Sequence, residues 1–250
     1  MSALRTKVVL MICLGVAAAA VVFAFPRFAQ DPRYHEFADQ RRIAGVPNLL
    51  NVVSNAMFAV AGILGLRLAW KHARGPAAVA FFLSAVLVAA GSAYYHVRPT
   101  NQTLVWDRLP MTVAFMSLLA LVIGDRIDVR AGRLLLGPLI AVGMGSVIYW
   151  RLTEAVGRGD LRPYALVQFF PMLAIALMLF LFRGRYIGTA GLAGVLGWYG
   201  AAKVCELLDR QMLSLGGIVS GHTLKHLAAG MAVFWVWRTL RGQTGIQSVQ

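Results

Sequence analysis

Residues 77–97 read AAVAFFLSAVLVAAGSAYYHV, a run without a single aspartate, glutamate, lysine or arginine. Its apolar residues are continuous rather than alternating, so it is not a strand of a membrane barrel. About 20 such residues, wound as a helix, cross the roughly 30 Å of bilayer hydrocarbon. The run therefore predicts a membrane-spanning helix. Its last turns break the pattern with Ser92, Tyr95 and His96, and Asp107 follows eleven residues after the histidine. A hydroxyl, an imidazole and a carboxylate are costly near lipid, and intramembrane carboxylates usually face a cavity or a partner.

Outward from this stretch, seven more runs of similar character appear, at 7–28, 49–70, 105–124, 134–151, 164–182, 187–206 and 219–240. Composition agrees: 59% of the 250 residues are hydrophobic and 14% charged, against about 45–50% and about 25% in soluble chains. A formal net charge of +14 would suggest nucleic acid in a soluble protein. Here the basic residues cap the apolar runs, their usual place in a membrane protein, and no nucleic-acid partner is expected. Cys13 and Cys205 lie in or at the end of apolar runs, so no disulfide framework is legible.

The expected fold class is an all-α membrane protein with a seven-transmembrane-helix core and one additional N-terminal transmembrane helix. The N-terminal apolar stretch, Val8 to Phe25, is longer than the roughly 7–15 residues of a signal-peptide core. The Pro-Arg-Phe-Ala that follows is a poor cleavage site, so the helix is read as retained. The expected division is an N-terminal helix over 1–29, a seven-helix domain over 30–242 and a polar tail over 243–250. Short, densely basic loops place the N-terminus in the cytoplasm. Trp70, Trp106, Trp150 and Trp237, near segment ends, are read as interfacial anchors; His35 and His72 are read as solvated loop histidines.

Whichever way the chain is oriented, one membrane face collects the polar residues. Asn51, Ser54 and Asn55 open the second run, Ser92 and His96 close the third, and Asp107 opens the fourth. His222 and His226 open the last, and Glu206 and Asp209 close the seventh. At about 1.5 Å per residue, all lie within two helical turns of that face. His222 and His226 are four apart and share a helix face, a spacing that lets two imidazoles bind one metal. Of the five histidines, His96 is the remaining one at a suitable depth. Three protein ligands with a fourth position open describe a catalytic rather than a structural zinc site.

Blander readings stand beside these. The histidine pair could hydrogen-bond headgroups, Ser92 could be a small packing residue, and Asp107 could sit at its helix N-terminus because the dipole favours it. Asn51 and Asn55 read as interhelical glue or support for the site, and Lys225, Glu206 and Lys203 could form an ion pair in the same cavity.

At these residues the chain resembles the alkaline ceramidases, as a bacterial-type member of the wider CREST group of membrane hydrolases. The resemblance rests on Ser92-x3-His96, Asp107, His222-x3-His226 and the Asn51-x2-Ser54-Asn55 pattern, and covers roughly residues 39–240. It implies zinc held by His96, His222 and His226, with Ser92 and Asp107 serving the zinc-bound water and the developing oxyanion. Tyr95 and Lys225 would line or support the site. It implies hydrolysis of the N-acyl bond of ceramide-like membrane lipids. Asn48 stands where calcium-binding relatives carry a glutamate, which disfavours Ca2+. In a bacterium the protein would be a multi-pass inner-membrane protein with the zinc site near the non-cytoplasmic face; no oligomeric state is assigned.

Two other classes share these features: a non-catalytic membrane receptor or lipid-binding protein with structural zinc, and a metal or solute transporter. Ser92 and Asp107 beside an open three-ligand site favour the enzyme. Polar groups confined to one face, with no charged path across the membrane, disfavour the transporter.

Overall fold

A computed structural model describes residues 3–242; the tail expected over 243–250 lies outside the described residues. Each apolar run forms helix. The first is α1 (Ala3–Ala24) and the second is split into α2 (Leu49–Val53) and α3 (Ala56–Lys71). Then come α4 (Pro76–Val97), α5 (Asn101–Arg126), α6 (Val129–Ala155), α7 (Arg162–Leu181) and α8 (Thr189–Leu207). A short α9 (Asp209–Gly216) precedes α10 (Gly221–Arg241). Among the described residues, six spans are long and apolar enough to cross a membrane: α1, α2–α3, α4, α5, α6 and α7. The count of eight is thus not reached on apolarity. Helices α8 and α10 fall short of it, carrying Lys203 and Glu206, and His222, Lys225 and His226.

The break between α2 and α3 is not a change of direction. Ser54 and Asn55 keep right-handed helical angles, and their side chains turn back onto Asn51. Ser54 Oγ donates to the Asn51 carbonyl (3.1 Å) and Asn55 Nδ2 to the same oxygen (2.7 Å). Such local bonds compete with the helix ladder and tighten it for one turn.

Helices α3, α4, α5, α7, α8 and α10 form a ring in that order, α10 closing against α3. Helix α6 packs outside against α5 and α7, and α1 lies against α7. That contact is tied at both ends: Lys7 Nζ donates to the Leu181 carbonyl (2.6 Å) and Arg162 Nη1 to the Phe25 carbonyl (2.9 Å). The remaining surface of α1 faces outward, as its uniform apolarity requires.

The segment between α1 and α2 crosses the end of the ring that carries the histidines. It contains a 3-10 turn (Pro32–His35) and a two-residue hairpin, β1 (Arg42–Ile43) with β2 (Val46–Pro47). Gln30 accepts from Arg108 Nη2 (2.6 Å), and Ala38 N–H donates to Asp209 (2.9 Å). Arg41 grips Asp39 and donates to the Gly217 and Ile218 carbonyls. The Arg108 guanidinium lies 4.3 Å from the Trp150 ring and 4.5 Å from the Tyr164 ring. Trp150 is completely buried, with its indole N–H on Glu154 (3.1 Å). It is a core residue rather than an interfacial anchor, because α6 turns that end toward α5 and α7. Trp70 and Trp106 are exposed, as anchors should be.

Candidate metal centre

Three helix termini build the centre. Ser220 caps α10, its Oγ accepting from the Thr223 N–H (3.2 Å), and the first two turns then carry His222 and His226 on one face. His96 is the penultimate residue of α4, its carbonyl receiving the Asn48 side-chain amide (2.9 Å). Asp107 lies in the second turn of α5, after the Thr100–Thr103 capping box.

These termini can meet because Gly91 has no side chain. A Cβ there would lie 2.0 Å from the Trp106 carbonyl oxygen. The α4 backbone therefore rests directly on α5, bringing Ser92 and His96 beside Asp107. Gly91→Val is expected to cost about 1–3 kcal/mol by overpacking and to weaken metal binding by pushing the two helices apart. Thermal unfolding in detergent and metal titration would measure both; near-native values would refute this role of the close contact.

The three imidazoles are buried and converge. His96 Nε2 is 3.2 Å from His226 Nε2 and 3.3 Å from His222 Nε2. The ligand atoms of all three lie within 4.8 Å of one another. Since the Ser54 hydroxyl donates to the Asn51 carbonyl, it accepts from His226 Nδ1 (2.9 Å). That assignment leaves His226 Nε2 as a bare lone pair aimed at the centre, the arrangement by which an outer hydrogen bond prepares a metal ligand. Zinc–nitrogen bonds of about 2.0–2.1 Å at tetrahedral angles place ligand nitrogens about 3.3 Å apart. The two separations from His96 match that spacing, whereas converging lone pairs without a cation would repel. The donor set fits zinc.

The Ser92 hydroxyl and the Asp107 carboxyl are close enough to hydrogen-bond, and both line a cavity of about 120 Å³ with His226, Lys203, Glu206 and Lys225. Glu206 bridges two ammonium groups, at 2.8 Å from Lys225 and 2.7 Å from Lys203. Below this polar end the wall is apolar: Val88, Ala85 and Phe81 descend α4 from Ser92, and Met111, Phe115 and Leu118 descend α5 from Asp107. Eleven residues of helix give that lining a depth of about 16 Å.

The other expected residues take supporting places. Asn51 Oδ1 accepts from Thr223 (2.7 Å), tying α2 to α10, and Asn55 holds the tightened turn. Tyr95 is buried beside His96 but points away from the cavity, its hydroxyl 2.9 Å from His35 Nδ1. His35 is not a solvated loop residue. Its Nε2 meets Asn101 Oδ1 (2.9 Å), so it pins the crossing segment to α4 and α5. His72 is exposed.

Phe37 escaped the sequence reading. Its ring centroid lies 4.6 Å from those of both His96 and His222, where the crossing segment passes over the centre. A lone phenylalanine among loop residues has no periodicity to flag it. Asp209 also gains a role: one oxygen accepts from the His222 backbone N–H (2.7 Å) and the other from Ala38 N–H (2.9 Å).

The latch beside Phe37 gives a pH prediction. Hydrogen bonds from Arg41 hold the Asp39 carboxyl below its usual range. A carboxyl depressed on folding contributes stability above its unfolded value of about 3.9 and loses it as pH falls through the folded value. The crossing segment should therefore stay latched from neutral pH down to about 4 and loosen only below. Amide hydrogen exchange at Phe37–Asp39, corrected for intrinsic rates, would report it; loosening already at pH 6 would show that another group controls the latch.

With this geometry in hand, comparison with known families gives a match to the model described as Ceramidase over residues 42–242. That range takes in the crossing hairpin and every helix of the ring, and leaves α1 outside. Comparison with curated proteins and with solved structures gives no match.

Proposed function

The chain belongs to the ceramidase family, and from that premise we propose that it is an intramembrane zinc-dependent amidase cleaving the N-acyl bond of ceramide-like sphingolipids. The products are a fatty acid and a sphingoid base. The observation that carries this reading is the cavity, polar where His226, Ser92 and Asp107 meet and apolar for about 16 Å beyond. An acyl chain laid in the apolar part brings its amide to the three imidazoles.

His96, His222 and His226 would hold the zinc ion. When bound, zinc supplies Lewis acidity toward a carbonyl and lowers the pKa of water toward about 7. Asp107 orients the attacking water and takes its proton. Ser92 donates a hydrogen bond to oxygen as negative charge develops on it, the position where a fixed donor lowers a barrier most. The proton held on Asp107 then passes to the leaving nitrogen as the carbon–nitrogen bond breaks, so water is divided between acid and amine. Phe37 shields the imidazoles from the aqueous side, which strengthens electrostatic interactions within the site. The N-terminus in the cytoplasm and the centre near the opposite face complete the proposed arrangement.

Zinc content of the detergent-solubilised protein, measured together with fatty-acid release from a ceramide panel, tests the proposal. About one zinc per chain with release is expected. Bound zinc without release from any ceramide would favour a receptor, and failure to take up supplied zinc would remove the centre.

A further inference from the structure

The Lys203–Glu206–Lys225 cluster is not used by the hydrolysis described above, yet it lines the same cavity at the level of the histidines. The three side chains are 17–29% exposed. Charges this enclosed cost several kcal/mol each to desolvate, and apolar replacements are often as stable. Stability alone does not account for the cluster.

The donors and acceptors are unequal. An ammonium has three N–H donors and no acceptor. Glu206 spends one oxygen on each lysine (2.7 and 2.8 Å), and these are the hydrogen bonds of the two ammonium groups among the described residues. Lys203 also lies over the Phe169 and Tyr199 rings, at 5.4 and 6.0 Å. Two N–H donors on each lysine remain for a ligand. Asp107 lies beside Ser92 at the same polar end, which therefore carries two ammonium groups and two carboxyl groups before any metal. With the metal bound, the polar end holds a surplus of positive charge.

We propose that Lys203 and Lys225 form an anion subsite receiving a phosphate or carboxylate on the amine half of the substrate. This inference rests on the amidase reading of the site. The direction follows from the cavity's shape. The acyl chain occupies the apolar depth between Phe81, Phe115 and Leu118, so the amine half stays level with the imidazoles, where the ammonium groups are. The preferred substrate is then an anionic N-acyl lipid whose charge lies a few bonds from the amide, with Glu206 holding both ammonium groups in place. A phosphorylated sphingoid headgroup and an acylated amino acid would supply the same chemistry.

The test compares kcat/KM for three amides of one acyl chain: neutral ceramide, ceramide 1-phosphate and N-acyl serine. The wild type should favour at least one anionic amide over ceramide by about tenfold or more, and which one identifies the source of the charge. Lys203→Met, which leaves Glu206 paired with Lys225, should bring the ratio to about threefold or less through KM, and Lys203→Arg should restore it. Equal or slower hydrolysis of both anionic amides overturns the subsite while leaving the amidase standing. Should none be cleaved, the amidase reading fails, and calorimetric binding of hexadecyl phosphate against hexadecanol decides the subsite. Tighter binding of the phosphate, lost in Lys203→Met, supports it; equal affinity refutes it.

Discussion

Replacing His222 with alanine is expected to abolish zinc retention and to lower fatty-acid release by at least about a thousandfold, since Lewis-acid assistance is worth several kcal/mol and each 1.36 kcal/mol is a factor of ten. The effect is large because the centre has little redundancy. Among the described residues, His96, His222 and His226 are the one group of three or more potential ligands that converge this closely. Loss of one Nε2 leaves two imidazoles 3.2 Å apart, a much weaker site. The fold should survive: Asp209 bonds the backbone N–H of residue 222 rather than its side chain, and Ser220 still caps α10. Metal analysis alongside helical content by circular dichroism separates the two effects. Zinc retained at one per chain with near-native activity would eliminate the proposed ligand set. Ser54→Ala is a graded companion, expected to weaken zinc binding by about 10–100-fold through the tautomer of His226.

Asp107→Asn should do the opposite to zinc and much the same to turnover. Asparagine has the same shape, and Asp107 is not among the converging imidazoles, so one zinc per chain should remain. Asparagine cannot take a proton from water, so kcat should fall by about 10²–10⁴-fold. kcat/KM should fall by a similar factor, because the lost interaction belongs to the transition state. Thermal stability should hold or rise slightly, since a buried carboxyl no longer has to be solvated by the protein. Near-native kcat would return Asp107 to a helix-terminal role set by the dipole. Zinc-loaded, stable and inactive protein would separate proton transfer from metal binding.

Much of this was legible in one dimension. Bilayer hydrocarbon has no partner for a backbone amide, so the membrane-spanning apolar runs had to become helices. Lipid also penalises polar side chains, so residues such as His96, Asp107, His222 and His226 stand out by depth alone. The spacing of His222 and His226 places both on one helix face because the helical period is fixed. The cost of misplacement made these residues readable.

The tertiary structure decided the rest. That Gly91 lets α4 lie on the Trp106 carbonyl depends on how two helices approach, and a glycine in an apolar run looks the same whether or not a neighbour needs the space. Position near a helix end does not say which way the end faces, so Trp150 reads as an anchor in the sequence and is a core residue in the fold. His35 and Phe37 lie in a segment with no hydrophobic period, and their places over Tyr95 and the imidazoles come from long-range contacts to Arg108, Asp209 and Gly217. The Lys203–Glu206–Lys225 cluster was open from sequence, since α8 and α10 could have met at another rotation. Periodicity and the cost of burial in lipid act along the chain, and so the sequence by itself determined the helices and which of their ends carry the polar residues. Close approach, rotation and loop placement are settled only when the ring closes, and so the cavity and its cover belong to the tertiary structure.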